Sequence, residues 1–598
     1  MASPATTAAL RPLDAMDATV SGPAEIAGVV AAHLELLGAR TDRAQGAAGN
    51  GGITVSGHGF DPVSATAHWG GPGSGLVDEA TVQAATGVMA VHGRRTGAPA
   101  GLAADYTATA TAVLTVQGLL AALIGQARVA SGTSCLSTGA DRAGLLVVSQ
   151  YLAAAGADEG EAAELSPGGP PFTSAEGVLF ELETLDPGAW AAFWRALEVP
   201  ADAIRAGWRP FQFRYAMACA PFPPVLHEVT RGRPLAEIRR AAALSGAEVC
   251  VIRTLVERHA EADGAPPWSF RPFSGETSQR PAHTAKPTGP AADGGPLAGL
   301  TVLEAGRRIQ APLAAHLLGL LGAEVIRIEP PGGDPLRGMP PTSSGISARW
   351  LALNRGKKAV EIDIKAAADR RRLTEMAAGA DVFLHNWAPG KAAELGLDAE
   401  DLARVNPALV YAYTGGWADR IDDAPMGTDF MVQARTGVGE AVRAEGEPPA
   451  PSLMTLLDVL GGLHGTEAVL AGLLLRERTG HGVRVDSSLL GAADTLIAPV
   501  LARVGRGENP RRPAGFRRPL PTADGWIAPA DRDARAAAAH DLTALPTTEA
   551  LARLHGHGLA ATAVTTDLSD LHHDPRFAGA IHRDEHGAPA VIAPWSFA

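Results

Sequence analysis

Two stretches of this 598-residue chain match each other without a gap: "VDEATVQAATGVMAVHGRRTGAPA" (77–100) and "GTDFMVQARTGVGEAVRAEGEPPA" (427–450). They share Val82-Gln83-Ala84 with Val432-Gln433-Ala434, then Thr86-Gly87 with Thr436-Gly437. Further pairs follow in the same order. An aspartate precedes a long apolar helix in each copy: Asp105 before "TATATAVLTVQGLLAALIGQ" and Asp458 before "VLGGLHGTEAVLAGLLLRER". "FTSAEGVLFEL" (172–182) matches "LPTADGWIAPA" (520–530), and both copies finish on Pro-Trp-Ser-Phe, at 267–270 and 594–597. Ordered self-similarity of this kind means one structural unit used twice. The segment 274–295, "SGETSQRPAHTAKPTGPAADGG", has almost no large apolar residue and reads as a linker. The expected division is therefore a first half at 1–273, the linker at 274–295 and a second half at 296–598.

The copies are unequal. The second opens with a strand, "LTVLEAG", a helix, "APLAAHLLGLLG", and a strand, "AEVIRIE". β-Branched runs alternating with amphipathic helices predict an α/β fold with a parallel sheet. The first copy offers only "VSGPAEIAGVVAAHLELLGART" (20–41), read as a remnant of that helix. A Gly-rich stretch, 44–75, then leads directly to the first "VQA".

Composition excludes several classes. A net charge of −13 gives no basic footprint for nucleic acid or an anionic membrane. No apolar run approaches the ~20 residues of a membrane span, and "MASPATTAALRPLDAM" is not a signal peptide. Cys135, Cys219 and Cys250 have neither metal-ligand spacing nor the number for a disulfide framework, which fits a reducing cytoplasm. His555/His557 and His572-His573 lack zinc spacing, His464 reads as a helix-surface or packed residue, and no metal is assigned.

Five segments of the second half come in a telling order: "EAGRRIQAPLAAHLLGLLGAEVIRIEPPGGDPLRG", "LNRGKKAVEIDI", "DVFLHNWAPG", "GTDFMVQARTGVG" and "LMTLLDVLGGLHGTEAVLAGLLLRERTGHGVRVDSSLL". Together they resemble the family III CoA-transferases (the CaiB/BaiF family), here as two tandem unequal copies. The resemblance implies Rossmann-like parallel-sheet large domains with smaller α+β domains, arranged as an intrachain pseudo-dimer open to further homo-oligomerisation. Its ligands would be an acyl-CoA and a carboxylic acid, with coenzyme A as substrate.

By the same resemblance, Gln310, Ala311 and Pro312 line the CoA pocket at a helix N-terminus, a setting that also favours phosphate on physical grounds. Arg327 and Arg337 flank "EPPGGD"; Asn354, Arg355 and Lys357 match the family's Asn-Arg-Gly-Lys, whose basic residues face CoA phosphates. Asn386 and Pro389 belong to a segment usually written Asn-Phe-Arg-Pro-Gly, in which Ala388 here removes the arginine.

Asp458 stands where the family nucleophile lies. Its carboxylate would attack the thioester, and the bland alternative is an N-cap. Asp105 is the rival nucleophile, though its half lacks a convincing CoA-binding unit. The racemases of the family use a His in Gly-His-Asp; here Gly427-Thr428-Asp429 offers a threonine, which cannot transfer protons near neutral pH. An acyl-CoA racemase or lyase, and a catalytically degenerate CoA-binding scaffold, are the alternatives to transfer. Trp190, Trp194 and Trp208 read as core, and the arginines of 504–518 as a solvated basic loop.

Overall fold

The computed structural model describes residues 11–44, 50–57, 59–128, 133–159, 165–273 and 294–598. Nearly all of the linker segment lies outside them. The first half opens with β1 (Met16–Val20), α1 (Ala24–Leu36), β2 (Arg40–Arg43), β3 (Asn50–Gly57) and β4 (Phe60–His68). It continues through α2 (Glu79–Ala85), α3 (Tyr106–Arg128) and β5 (Cys135–Gly139), then β6 (Phe172–Thr173), β7 (Leu179–Glu183), β8 (Glu248–Val251) and β9 (Trp268–Pro272). The second half runs β10 (Thr301–Ala305), α4 (Gln310–Leu320), β11 (Glu324–Glu329), β12 (Lys358–Glu361), β13 (Val382–His385) and β14 (Val410–Gly415). After these come α5 (Asp429–Arg435), α6 (Leu456–Thr479), β15 (Val483–Ser488), β16 (Leu520–Pro521), β17 (Trp526–Pro529), β18 (Ala561–Ala563) and β19 (Trp595–Phe597).

The fold is α/β. The second half's sheet has the order β12-β11-β10-β13-β14-β15-β9, parallel throughout except at its last edge. Its central strands, such as Val382 to His385, are buried at every residue, as a sheet covered on both faces requires. The first half's sheet has the order β2-β1-β3-β4-β5-β19. Here the structure corrects the expectation. The first half retains a complete β1-α1-β2 unit with parallel strands, and the Gly-rich stretch folds as the antiparallel β3–β4 pair. The glycines hid that pair, since strand patterning rests on β-branched side chains. At Gly51 a side chain would meet the Ser21 carbonyl oxygen at 2.6 Å, so the residue is small because the backbones approach closely.

The two halves exchange their last strands. β9, from the first half, closes the second half's sheet antiparallel to β15, with Trp268 opposite Ser487. β19, from the second half, closes the first half's sheet antiparallel to β5, with Trp595 opposite Thr138. This is what the repeated Pro-Trp-Ser-Phe does: each copy is an edge strand for the other half. Trp595 Nε1 donates to the Leu114 carbonyl at 2.7 Å, and Gly118 leaves room for its indole.

The small three-stranded sheets cross over as well. β6-β7-β8 packs on α5 of the second half, and β16-β17-β18 packs on α2 of the first. α3 and α6 lie against each other in one apolar cluster that spans both halves. At 23 and 24 residues, they correct the expectation that no apolar run approaches membrane-span length; both are core helices, 94% buried over their apolar windows. Threonines in α3 and glycines in α6 broke up the apolar runs in the sequence. Trp190 and Trp194 pack in a separate core under β7, with Trp208 beside them, as expected.

Candidate active site

The first turn of α6 has an unusual start. Thr455 precedes it in the left-handed region, at φ 55°, and its side chain caps nothing. The free backbone N–H groups of that turn go to Asp429, at the head of α5. Asp429 Oδ2 accepts from Leu457 N and Asp458 N, each at 2.7 Å. The Gln433 amide, one turn along α5, donates to the other oxygen of Asp429 and also to the Ser452 carbonyl. Asp458 is therefore not an N-cap. It sits three residues beyond the N-cap position, which is Thr455, near the positive end of the helix dipole, and is half-buried.

Three charges surround it. Burial raises the Asp458 carboxyl above the ordinary aspartate range; the Arg308 guanidinium opposes that shift, and Glu183 adds to it. Asp429 is also raised, first by burial and then by the Asp458 charge, with the N–H donors pulling the other way. Arg308 is exposed, has a left-handed backbone (φ 63°) and lies over the Tyr215 ring at 5.7 Å. Glu183 comes from β7 of the first half. It accepts from Thr428 Oγ1 at 2.7 Å and from Arg214 at 3.0 Å. The surroundings of Asp458 thus draw on both halves.

The matching place in the first half is built alike but holds no aspartate. Glu79 accepts from Thr107 N and Ala108 N, each at 2.8 Å, and from the Gln83 amide at 2.8 Å. Gln83 Oε1 accepts from Leu102 N at 2.8 Å, as Gln433 Oε1 accepts from Ser452 N at 2.8 Å. These contacts share one offset, which places Ala108 opposite Asp458 and Thr455 opposite Asp105. The two aspartates are not counterparts, contrary to the pairing expected from the repeat. Asp105 is bound by the buried Arg517 at 2.6 Å, and Arg512 lies 3.8 Å away. Arg517 also holds Asp531 and the carbonyls of Leu102 and Ala104. The 504–518 loop is thus not simply solvated; Arg517 anchors it in the other half.

The residues expected at CoA separate into two groups. Glu304, on β10, is fully buried and accepts from Arg327 at 2.6 and 2.8 Å and from Lys357 at 3.1 Å. Lys357 also donates to the Pro312 carbonyl at 2.8 Å and to Asn354 at 2.9 Å, so all three of its N–H bonds are engaged inside the protein. Burial pulls the Lys357 ammonium down to about 8, against the Glu304 charge. Arg327 is further paired to Asp334 at 2.5 Å, and Arg355 donates to the Val591 carbonyl at 2.7 Å. Gln310 and Ala311 are buried under α6, where Gly461 and Gly462 admit Gln310 and Leu313.

The second group faces outward. Asn386 exchanges hydrogen bonds with the Arg307 backbone at 2.9 and 3.0 Å, joining the turn after β10 to the turn after β13. Ala388, Pro389, Arg307 and Arg308 are exposed there. Arg337 is partly exposed, paired to Glu329 at 2.8 Å and stacked over Trp350 at 3.9 Å.

Arg308, Asp429 and Glu183 were missed from sequence. Asp429 had a signal: an acidic residue four before Gln in both copies, Glu79/Gln83 and Asp429/Gln433. Nothing in "EAGRRIQ" singled out Arg308, and Glu183 lies far away in the chain.

The family model for CoA-transferase family III matches residues 53–270 and again 297–579. The mouse succinyl-CoA:glutarate CoA-transferase is 34% identical over 265 residues, which are 43% of this chain and 59% of that protein. The acetyl-CoA:oxalate CoA-transferase of Acetobacter aceti is 34% identical over 236 residues, 39% of this chain and 60% of that protein. The succinyl-CoA–L-malate CoA-transferase beta subunit of Chloroflexus aurantiacus is 36% identical over 203 residues, 32% and 49% respectively. Each match thus spans about half to three-fifths of the relative's length. With both halves matched by one family model across most of its length, the chain belongs to CoA-transferase family III.

Proposed function

We propose that the protein moves CoA from an acyl-CoA to a free carboxylic acid, with Asp458 as the nucleophile. The observation that carries this is the setting of Asp458: half-buried, in the first turn of a helix, next to an exposed arginine, with its backbone held by Asp429. The Asp458 carboxylate attacks the thioester carbonyl, the carbon–sulfur bond breaks, and CoA leaves as thiolate. The thiolate attacks the Asp458 acyl carbon of the mixed anhydride and frees the donor acid. The aspartyl-CoA thioester then passes CoA to the acceptor by the reverse steps, with no net proton change. Asp429 and the helix dipole position and polarise the nucleophile rather than react.

The acceptor is proposed to be a short dicarboxylic acid. The relatives are named for succinate, glutarate, malate and oxalate, all of which keep a second carboxylate when the first is activated. Arg308 is an exposed cation beside the nucleophile and suits that second carboxylate. CoA is proposed to lie over the turns after β10 and β13, where Arg307 and Arg308 are exposed close to the place that lost its arginine at Ala388.

The two halves are proposed to be the single-chain form of a two-fold dimer, with boundaries at 1–273 and 296–598 and a linker between them. The reciprocal exchange of β9 and β19 supports this. On this reading the fused chain carries one transfer site, at Asp458. The test is exchange: the purified chain with succinyl-CoA and a panel of mono- and dicarboxylic acids, followed by mass spectrometry of the CoA esters. New CoA esters of dicarboxylic acids are expected; no new ester with any acid contradicts the proposal.

A further inference from the structure

The boundary between the halves holds a second cluster of chemistry, away from Asp458. His464 and Glu467 lie on α6 and His33 on α1, so the second half supplies two groups and the first half one. All three are buried, at 0%, 0% and 2% exposure. His33 Nδ1 lies 3.0 and 3.1 Å from the two Glu467 oxygens. A potential donor atom from each residue lies within 4.8 Å of the others. Both ring nitrogens of His464 are buried and have no hydrogen-bond partner. A buried polar group without a partner calls for an explanation, and an ion that takes a lone pair is one.

The twin helix makes the cluster more specific. The offset that aligns α3 with α6 puts Leu114 opposite His464 and Gln117 opposite Glu467. Gln117 donates to the Leu463 carbonyl at 2.7 Å, an ordinary cross-helix hydrogen bond. One half therefore shows the apolar and amide solution to this packing problem, while the other carries an imidazole and a carboxylate.

We propose that His33, His464 and Glu467 form a buried divalent-cation site of the zinc class, clamping α1 of the first half to α6 of the second. Two imidazoles and one carboxylate are a zinc-type donor set. Zinc–nitrogen and zinc–oxygen bonds of about 2.0–2.2 Å put tetrahedral donors roughly 3.3 Å apart, close to the present His33–Glu467 separation. His464 closes the remaining gap by a shift of its ring. On binding, the cation takes the place of the His33–Glu467 hydrogen bond, and that bond's proton leaves to solvent. Asp458 lies six residues back on the same helix, about 9 Å along its axis, so the ion takes no part in transfer.

The test uses the full chain loaded with zinc alone, desalted, and measured for metal content and melting temperature. Expected are about one zinc per chain and a raised melting temperature in the wild type, with both lost in His464→Leu and in Glu467→Gln. These replacements are the residues the twin helix carries. Cobalt(II) in the wild type should give the visible bands of a tetrahedral site. A wild type that retains no zinc and shows no cobalt bands overturns the proposal, as do variants that retain as much zinc as the wild type.

Discussion

Asp429 Oδ2 lies 2.7 Å from the backbone nitrogens of both Leu457 and Asp458, so one buried carboxyl caps the helix and stands next to the Asp458 carboxyl. Both carboxyls are raised, Asp458 by burial against the pull of Arg308 and Asp429 by burial and the Asp458 charge. With Asp458 as the proposed nucleophile, transfer requires its ionised form. The rate should rise with pH along a limb above the ordinary aspartate value of about 4. Glu183→Gln removes a negative charge that raises the Asp458 carboxyl, so the limb should move to lower pH. A pH–rate profile of the two proteins checks the direction.

Arg308→Ala should have two effects. Asp458 loses a cation that favours its ionised form, so the acid limb moves to higher pH. A dicarboxylic acceptor also loses a charged partner, worth about 1.5–3 kcal/mol. At a pH well above the limb, kcat/KM for a dicarboxylic acceptor should fall by about ten-fold or more, with a smaller loss for a monocarboxylic acid of equal length.

Lys357→Met separates two roles. The ammonium lies on Glu304 inside the fold, so its loss should destabilise the chain by about 3–5 kcal/mol. Urea unfolding measures that cost. A variant of wild-type stability with weakened CoA binding would place the ammonium on the ligand instead.

Glu181, on β7, is fully buried, with no hydrogen bond to its carboxylate oxygens. Burial pushes its carboxyl up to about 8, against the pull of Arg214 4.0 Å away. A carboxyl raised in the folded chain binds its proton there more tightly than in the unfolded chain. Its stabilisation is complete below the unfolded value and is lost as pH rises through the folded one, by up to about 1.4 kcal/mol per pH unit. Stability should therefore fall between about pH 5 and pH 8, and Glu181→Gln should flatten that dependence in urea midpoints.

Much of the fold was legible because its signals are local. β-Branched runs and helix periodicity in 300–330 marked a parallel unit, and matched segments marked the repeat. Pro-Trp-Ser-Phe revealed that the halves end alike but not that each ends in the other's sheet, because strand partners far apart leave no trace in either strand. Asp458 was singled out by its place before the glycine-bearing helix. Its mispairing with Asp105 came from treating the nearest aspartate as the counterpart, when the side-chain contacts of Glu79 and Asp429 define the register. Lys357 and Arg327 looked like phosphate ligands because a basic residue near a turn reads the same whether it faces solvent or a buried Glu304. Arg308 acquires meaning only when folding brings it to Asp458.

The account's central claim is that one aspartate, Asp458, carries the CoA. Incubation with succinyl-CoA, proteolysis and mass spectrometry of the peptides locate the adduct directly. The account predicts an aspartyl-CoA thioester on the peptide containing Asp458, none on the peptide containing Asp105, and loss of the adduct in Asp458→Asn with the fold intact. An adduct on Asp105, or an adduct that survives in Asp458→Asn, would contradict it.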